Sequence, residues 1–193
     1  MKKVILMAVA MLVSVASFAQ HATGTITIQP KVGIAASTFD DADNAETIVG
    51  FVGGAEFEYQ VTDIFSLSAG ALYTMQGSKA TTNFGLTGKQ KIDYINIPIL
   101  ANVYPFKGFA VKLGIQPGFK VNDEFTLSAG NKEYKSDNTK AKSFALAIPV
   151  GISYEFKNFV LDARYNWGVT KVFDDADVKN SVFQVTLGYK FEL

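Results

Sequence analysis

The chain has 193 residues, 18 basic and 18 acidic side chains, no cysteine, one histidine and 13% aromatic residues. Zero formal net charge leaves nucleic acid without an electrostatic footprint, and the missing cysteines exclude both a disulfide framework and a lipoprotein anchor. A lone His21 excludes a histidine triad and a histidine metal cluster.

Lys2 and Lys3 precede an apolar run from Val4 to Ala16, followed by Ser17, Phe18 and Ala19. Charge, short apolar core and small residues in that order predict a cleavable export signal over 1–19. A membrane anchor is the competing reading, but the run is shorter than the roughly 18 to 20 residues a spanning helix needs. Removing 1–19 leaves one domain, 20–193, with 16 basic and 18 acidic residues. Beyond the signal no apolar run can span as a helix, so a membrane fold would have to be a closed sheet.

Strict alternation of apolar and polar residues between turn signals predicts eight strands, over 25–37, 48–60, 64–76, 91–105, 109–122, 142–156, 159–171 and 182–193. Three connections are tight, at Val61-Thr62-Asp63, Phe106-Lys107-Gly108 and Lys157-Asn158. Four others, 38–47, 77–90, 123–141 and 172–181, are long and polar. The expectation is an all-β, closed, eight-stranded antiparallel up-and-down transmembrane barrel, with short periplasmic turns, long outer loops and both termini periplasmic.

On the seventh strand Phe159, Leu161, Ala163, Tyr165, Trp167 and Val169 share one face, opposite Asp162, Arg164, Asn166, Gly168 and Thr170. A soluble lipocalin-like barrel binding a small apolar ligand would turn the apolar face inward. Eight strands enclose too little space for so many large side chains, so the apolar face should meet lipid. The inner face then carries Lys31, Lys112, Lys120, Arg164 and Lys190 against Glu56, Glu58, Glu155, Asp162 and Glu192, five charges of each sign. Unpaired charge in a narrow lumen is costly, which predicts a salt-bridge network filling the barrel. Those near the mouth, Glu58, Glu155 and Glu192, could equally be solvated. Aromatic belts are expected at Tyr59, Phe65, Phe109, Phe156, Phe159, Tyr189 and Phe191 beside the short turns, and at Tyr73, Tyr165 and Trp167 toward the long loops.

The segment Tyr94-Ile95-Asn96-Ile97-Pro98-Ile99-Leu100 through Pro105 resembles the Y-x-x-I-P-L-L strand of the PorT-like outer-membrane barrels of Bacteroidetes-type bacteria. Leu113-Gly114-Ile115-Gln116-Pro117-Gly118-Phe119 is similar to that family's following G-x-x-P-G strand. The ending Gly188-Tyr189-Lys190-Phe191-Glu192-Leu193 resembles the C-terminal signal read by the barrel-assembly machinery, with Leu where Phe or Trp is commoner. The likeness covers the mature chain and extends in architecture to OmpA/OmpX-type barrels. It implies an integral outer-membrane location and brings no catalytic signature or cofactor.

Chemistry is otherwise sparse. Asp162 beside Arg164 reads as an ion pair rather than a catalytic carboxylate, and Gly50, Gly53 and Gly54 read as small residues in a curving strand rather than a phosphate loop. The pentapeptide Phe39-Asp40-Asp41-Ala42-Asp43 recurs as Phe173-Asp174-Asp175-Ala176-Asp177. Closure would make these loops neighbours, where six carboxylates could hold a divalent cation or bridge to lipopolysaccharide phosphates. Two solvated acidic loops are the other reading, since the Gly and distal Glu of a calcium loop are missing. The sequence points to a non-enzymatic structural or surface-interaction barrel, with a narrow solute pore as the alternative.

Overall fold

A computed structural model of the protein describes residues 22–40, 45–81, 86–129, 132–137, 141–172 and 178–193. The expected signal, 1–19, and His21 lie outside the described residues. Eleven strands form one antiparallel sheet: β1 (Ile26–Asp40), β2 (Ala45–Thr62), β3 (Phe65–Thr81), β4 (Leu86–Asn96), β5 (Ile99–Phe106), β6 (Phe109–Ala129), β7 (Lys132–Asp137), β8 (Phe144–Phe156), β9 (Phe159–Lys171), β10 (Lys179–Tyr189) and β11 (Phe191–Glu192). They make eight staves, because β4 with β5, and β10 with β11, are halves of one stave and β7 pairs only with β6. The ring closes where β1 meets β10 from Lys31↔Gly188 to Asp40↔Lys179 and meets β11 at Thr27↔Glu192. The eight-stranded barrel of the sequence reading is therefore the observed fold.

Its faces are inverted relative to a soluble protein. Along β9, Val160, Asp162, Arg164 and Asn166 are buried while Leu161 is 55% and Trp167 59% exposed. Along β1, Thr27, Gln29, Lys31, Ala35 and Ser37 point inward, and Ile26, Val32 and Ile34 outward. A polar inside and an apolar outside suit hydrocarbon surroundings, and this arrangement rules out the lipocalin-like alternative. Among the described residues no helix is long and apolar enough to cross a membrane.

Three features depart from the expected strands. The stave predicted over 91–105 is interrupted at Ile97-Pro98, because proline has no N–H to give the ladder. The ends still join their neighbours, with Ile97 N donating to Pro117 O (2.8 Å) and Gly70 N to Pro98 O (3.1 Å). The last stave begins at Lys179 and breaks at Lys190, whose N–H bonds Asn158 O (2.8 Å) in the short turn. The long connections are largely strand. β3 and β4 continue through most of 77–90, and β6 runs to Ala129 and folds back as β7 within 123–141. In the β3–β4 extension Gly77, Ser78, Lys79, Lys89 and Gln90 offer no apolar alternation, and in the β6–β7 extension Phe125 and Leu127 on β6 and Tyr134 on β7 are too few among charged and small residues to set a period.

The strand break aligns the two motif segments. Asn96 pairs with Gly118 and Ile99 with Ile115, so the I-P strand and the G-x-x-P-G strand are neighbours in the wall. Gly114 lies where a Cβ would sit 2.0 Å from Ile99 O, an approach only glycine permits. Gly50 and Gly54 likewise lie against Met75 O and Ala71 O, whereas Gly53 lies beneath the Phe51 ring.

Candidate functional site in the barrel lumen

Inward parity on β1, β2, β6 and β9 brings charges from around the ring to one level. Arg164 is fully buried and doubly forked: Nη1 and Nη2 donate to Glu56 (2.8 and 3.2 Å), while Nε and Nη2 donate to Asp162 (3.1 and 2.8 Å). Lys31 Nζ bonds Glu56 at 2.7 Å and lies 3.6 Å from Asp162, and Lys112 Nζ bonds Asp162 at 2.7 Å. Three cations and two anions thus share one dry layer. The planar guanidinium matches two carboxylates at once, which a lysine in that place could not do.

A second layer lies toward the short turns. Lys190 Nζ is 3.0 Å from both Glu58 and Glu155, and it lies over the Tyr104 ring. Ser66 Oγ donates to Glu58 (2.6 Å), and the Tyr104 hydroxyl donates to the same carboxylate. One cation and two anions give this layer −1, opposite in sign to the +1 of the layer above. Glu56 and Glu58, two residues apart on the same strand face, connect them.

Above the larger cluster the lumen turns apolar, then neutral and polar. Ala35, Val52, Leu72 and Val182 pack together, followed by an amide layer of Gln76, Asn96, Gln116, Asn166 and Asn180. This layer encloses a cavity of about 30 Å³, room for about two waters. Ile92, Tyr94, Ala141 and Val172 then form an apolar cluster near the long-hairpin mouth.

Of the ten predicted lumen charges, the structure brings Lys31, Glu56, Lys112, Asp162 and Arg164 into one cluster and Glu58, Glu155 and Lys190 into another. Lys120 is apart from both, near the far mouth, bonded to Asp123 (2.6 Å) and Ala141 O (2.7 Å). Glu192 keeps the inner-face parity, opposite the inward Thr27 in the register that runs on from Lys31↔Gly188, but it stands at the short-turn mouth and is exposed beside Thr25, the solvated alternative of the sequence reading. Sequence reading missed Asp123 and Tyr104. A bulge at Val121 shifts the register of β6 against β4, which puts Asp123 on the inner side with Lys120. Tyr104 shares the parity of the buried Leu100 and Asn102, a signal that was available but was masked by its aromatic character.

The predicted belt residues lie on the outer wall. Tyr59, Phe156, Phe159, Tyr189, Phe191, Tyr73, Tyr165 and Trp167 are exposed, with Phe65 and Phe109 half-buried. Near the short turns Phe106 stacks on Phe109 and Phe159 meets Tyr189 edge-on, and Tyr189 also touches Phe191. Asp41, Asp43, Asp174, Asp175 and Asp177 lie outside the described residues. For Asp40 the backbone alone is described, paired with Lys179. Among the described residues no group of three or more His, Cys, Asp or Glu could hold a metal ion.

Comparison with known proteins agrees with this geometry. The family model described as the outer membrane protein beta-barrel domain matches residues 18–174. Ail, the attachment invasion locus protein of Yersinia pestis, solved in complex with the heparin analogue sucrose octasulfate, is similar over 88% of this chain and 99% of its own, at 19% identity and TM-score 0.53. Neisserial surface protein A is similar over 86% of this chain and 97% of its own, at 17% identity and TM-score 0.52. No curated protein matches by sequence.

Proposed function

Because the chain belongs to the outer membrane protein beta-barrel domain family, and is thus an integral outer-membrane barrel, we propose that it acts without catalysis, as a structural or surface-interaction protein presenting its long hairpins outside the cell. The observation that carries this reading is the Arg164 cluster, in which side chains from four staves meet across the lumen. A barrel filled with paired charge offers solutes no path, so its working surface is its rim and outer wall. Both described chain ends, at Ala22 and Leu193, lie at the short-turn mouth, where Leu193 N bonds Ile26 O (2.9 Å). That mouth is assigned to the periplasm.

The abutting Tyr94–Pro105 and Leu113–Phe119 motifs support placement among PorT-like barrels of the Bacteroidetes type. The Gly188–Leu193 ending supports handling by the barrel-assembly machinery. The Asp40↔Lys179 pairing sets side by side the strand ends that flank the two acidic segments, which we read as solvated negative charge at the rim, with a shared divalent-cation site as the alternative. Liposome swelling tests the closed lumen. Proteoliposomes in isotonic small sugars should not swell, and reproducible swelling would favour the narrow pore instead.

A further inference from the structure

The amide layer of the lumen differs from the charge layers beneath it in what it leaves unmet. Gln116, Asn166 and Asn180 line its cavity, and the side-chain oxygen of each has no hydrogen-bond partner. Asn166 and Gln116 are only 2% and 4% exposed, so bulk solvent does not satisfy them. The other end of each amide fixes which atom is left over. Asn166 Nδ2 donates to Val182 O (3.5 Å), and Asn180 Nδ2 donates to the side-chain oxygen of Gln76. A backbone carbonyl can only accept, so Asn166 cannot turn its amide round without losing that bond.

Buried acceptors without donors carry a desolvation cost that a guest rich in donors removes. Water brings lone pairs that need donors in turn, whereas an ammonium ion brings donors alone. The cavity, about 30 Å³, has room for a water-sized ion and a companion water. Among the described residues no carboxylate lines it, so a divalent ion would find no countercharge there. The net +1 of the Arg164 layer lies beyond the apolar ring of Ala35, Val52, Leu72 and Val182. That charge weakens the site for any cation, and doubly so for a divalent one.

We propose that the amide cavity is a binding site for a water-sized monovalent cation, held by the side-chain oxygens of Gln116, Asn166 and Asn180. Ammonium is the best match, and potassium, of similar size and weakly hydrated, comes next. Sodium is smaller and holds its own water more tightly, so neutral amide oxygens replace its hydration shell less well. The site lies inside the sealed lumen, is distinct from the acidic rim loops, and needs no flow of ions through the barrel.

The test uses the full chain refolded into phosphatidylcholine bilayers and unfolded with urea, followed by emission of its single tryptophan, Trp167. Choline, sodium, potassium and ammonium chlorides are compared at equal ionic strength. Ammonium and potassium should raise the urea midpoint saturably above its value in choline, and sodium should raise it less, because a ligand bound only by the folded state stabilises it. Gln116→Met/Asn166→Leu should lose the difference, while Gln29→Met, in the lumen but away from the cavity, should keep it. Lys112→Met removes the surplus charge of the layer below. One unit charge about 12 Å away, at an effective dielectric of about 20, changes affinity about tenfold, so half-saturation should move to about tenfold lower ammonium. Identical midpoints in all the salts, which water alone would give, would overturn the proposal. So would an equal rise in Gln116→Met/Asn166→Leu, or an unmoved half-saturation in Lys112→Met. A direct measurement on the parent chain covers a variant that does not refold. Isotope-labelled ammonium should show a bound resonance with cross-relaxation to the Asn166 side-chain amide protons, and a free-ion line alone would refute the site.

Discussion

Arg164 is the side chain with most depending on it. Its guanidinium supplies four hydrogen bonds to Glu56 and Asp162 in a layer from which water is excluded. Replacing it with methionine would keep its bulk but leave two carboxylates facing two lysines in poorer geometry. Removing one partner of a buried ionic group costs about 3 to 5 kcal/mol. Arg164→Met should therefore lower the urea midpoint of bilayer-refolded protein strongly, and Arg164→Lys should restore only part of it, since one ammonium cannot fork to both acids. Equal midpoints for Arg164→Met and the parent chain would mean that the cluster contributes nothing net to stability. Residue parity made the membership of this cluster legible from sequence, because Glu56, Asp162 and Arg164 all fell on the polar face. Who pairs with whom was not legible, since that depends on the stagger of staves far apart in the chain, such as Glu56 and Arg164.

At the scale of elements, a strand here is defined by what each face meets. Leu161 on β9 is 55% exposed toward the lipid side and pairs with Leu187 and Tyr154. An arginine there would place charge at mid-bilayer, at a cost of about 2 to 4 kcal/mol. Leu161→Arg should lower folding yield into bilayers, whereas Lys107→Glu in the Phe106–Phe109 turn should leave yield unchanged. Equal yields would contradict the facing. The lipid-spanning parts of the staves were readable because hydrocarbon imposes a strict period of two. Where strands project into water that constraint ends. The β3–β4 extension, rich in serine, threonine and lysine, and the β6–β7 extension, where Phe125, Leu127 and Tyr134 stand among charged residues, therefore read as loops. The breaks at Pro98 and Lys190 were hidden for a different reason. Proline's missing donor was visible in the sequence, but the neighbouring β3 and β6 carbonyls and amides that bridge the gap were not. Glu192 keeps the predicted face, opposite Thr27, but its place at the very mouth, which decides that it is solvated, depends on how far the stave reaches and not on alternation.

On the scale of the whole molecule, the lumen is closed at several levels in series. The layer of Glu58, Tyr104, Glu155 and Lys190 lies near the short turns, the Arg164 cluster lies above it, and an apolar group around Tyr94 narrows the far mouth. A series of closures conducts only if every one is opened. Glu58→Ala/Lys190→Ala should empty much of the short-turn layer at some cost in stability, because Glu155 loses its lysine, and the gel shift reads whether the barrel still closes. In planar bilayers the parent chain should show no stable conductance steps, and neither should this double variant, since the Arg164 cluster still spans the ring from β1, β2, β6 and β9. Steady steps from the double variant, with its gel shift intact, would show that the short-turn layer alone was the seal and that the central cluster leaks. Steps from the parent chain would remove the closed-lumen reading altogether and return the protein to the class of narrow pores.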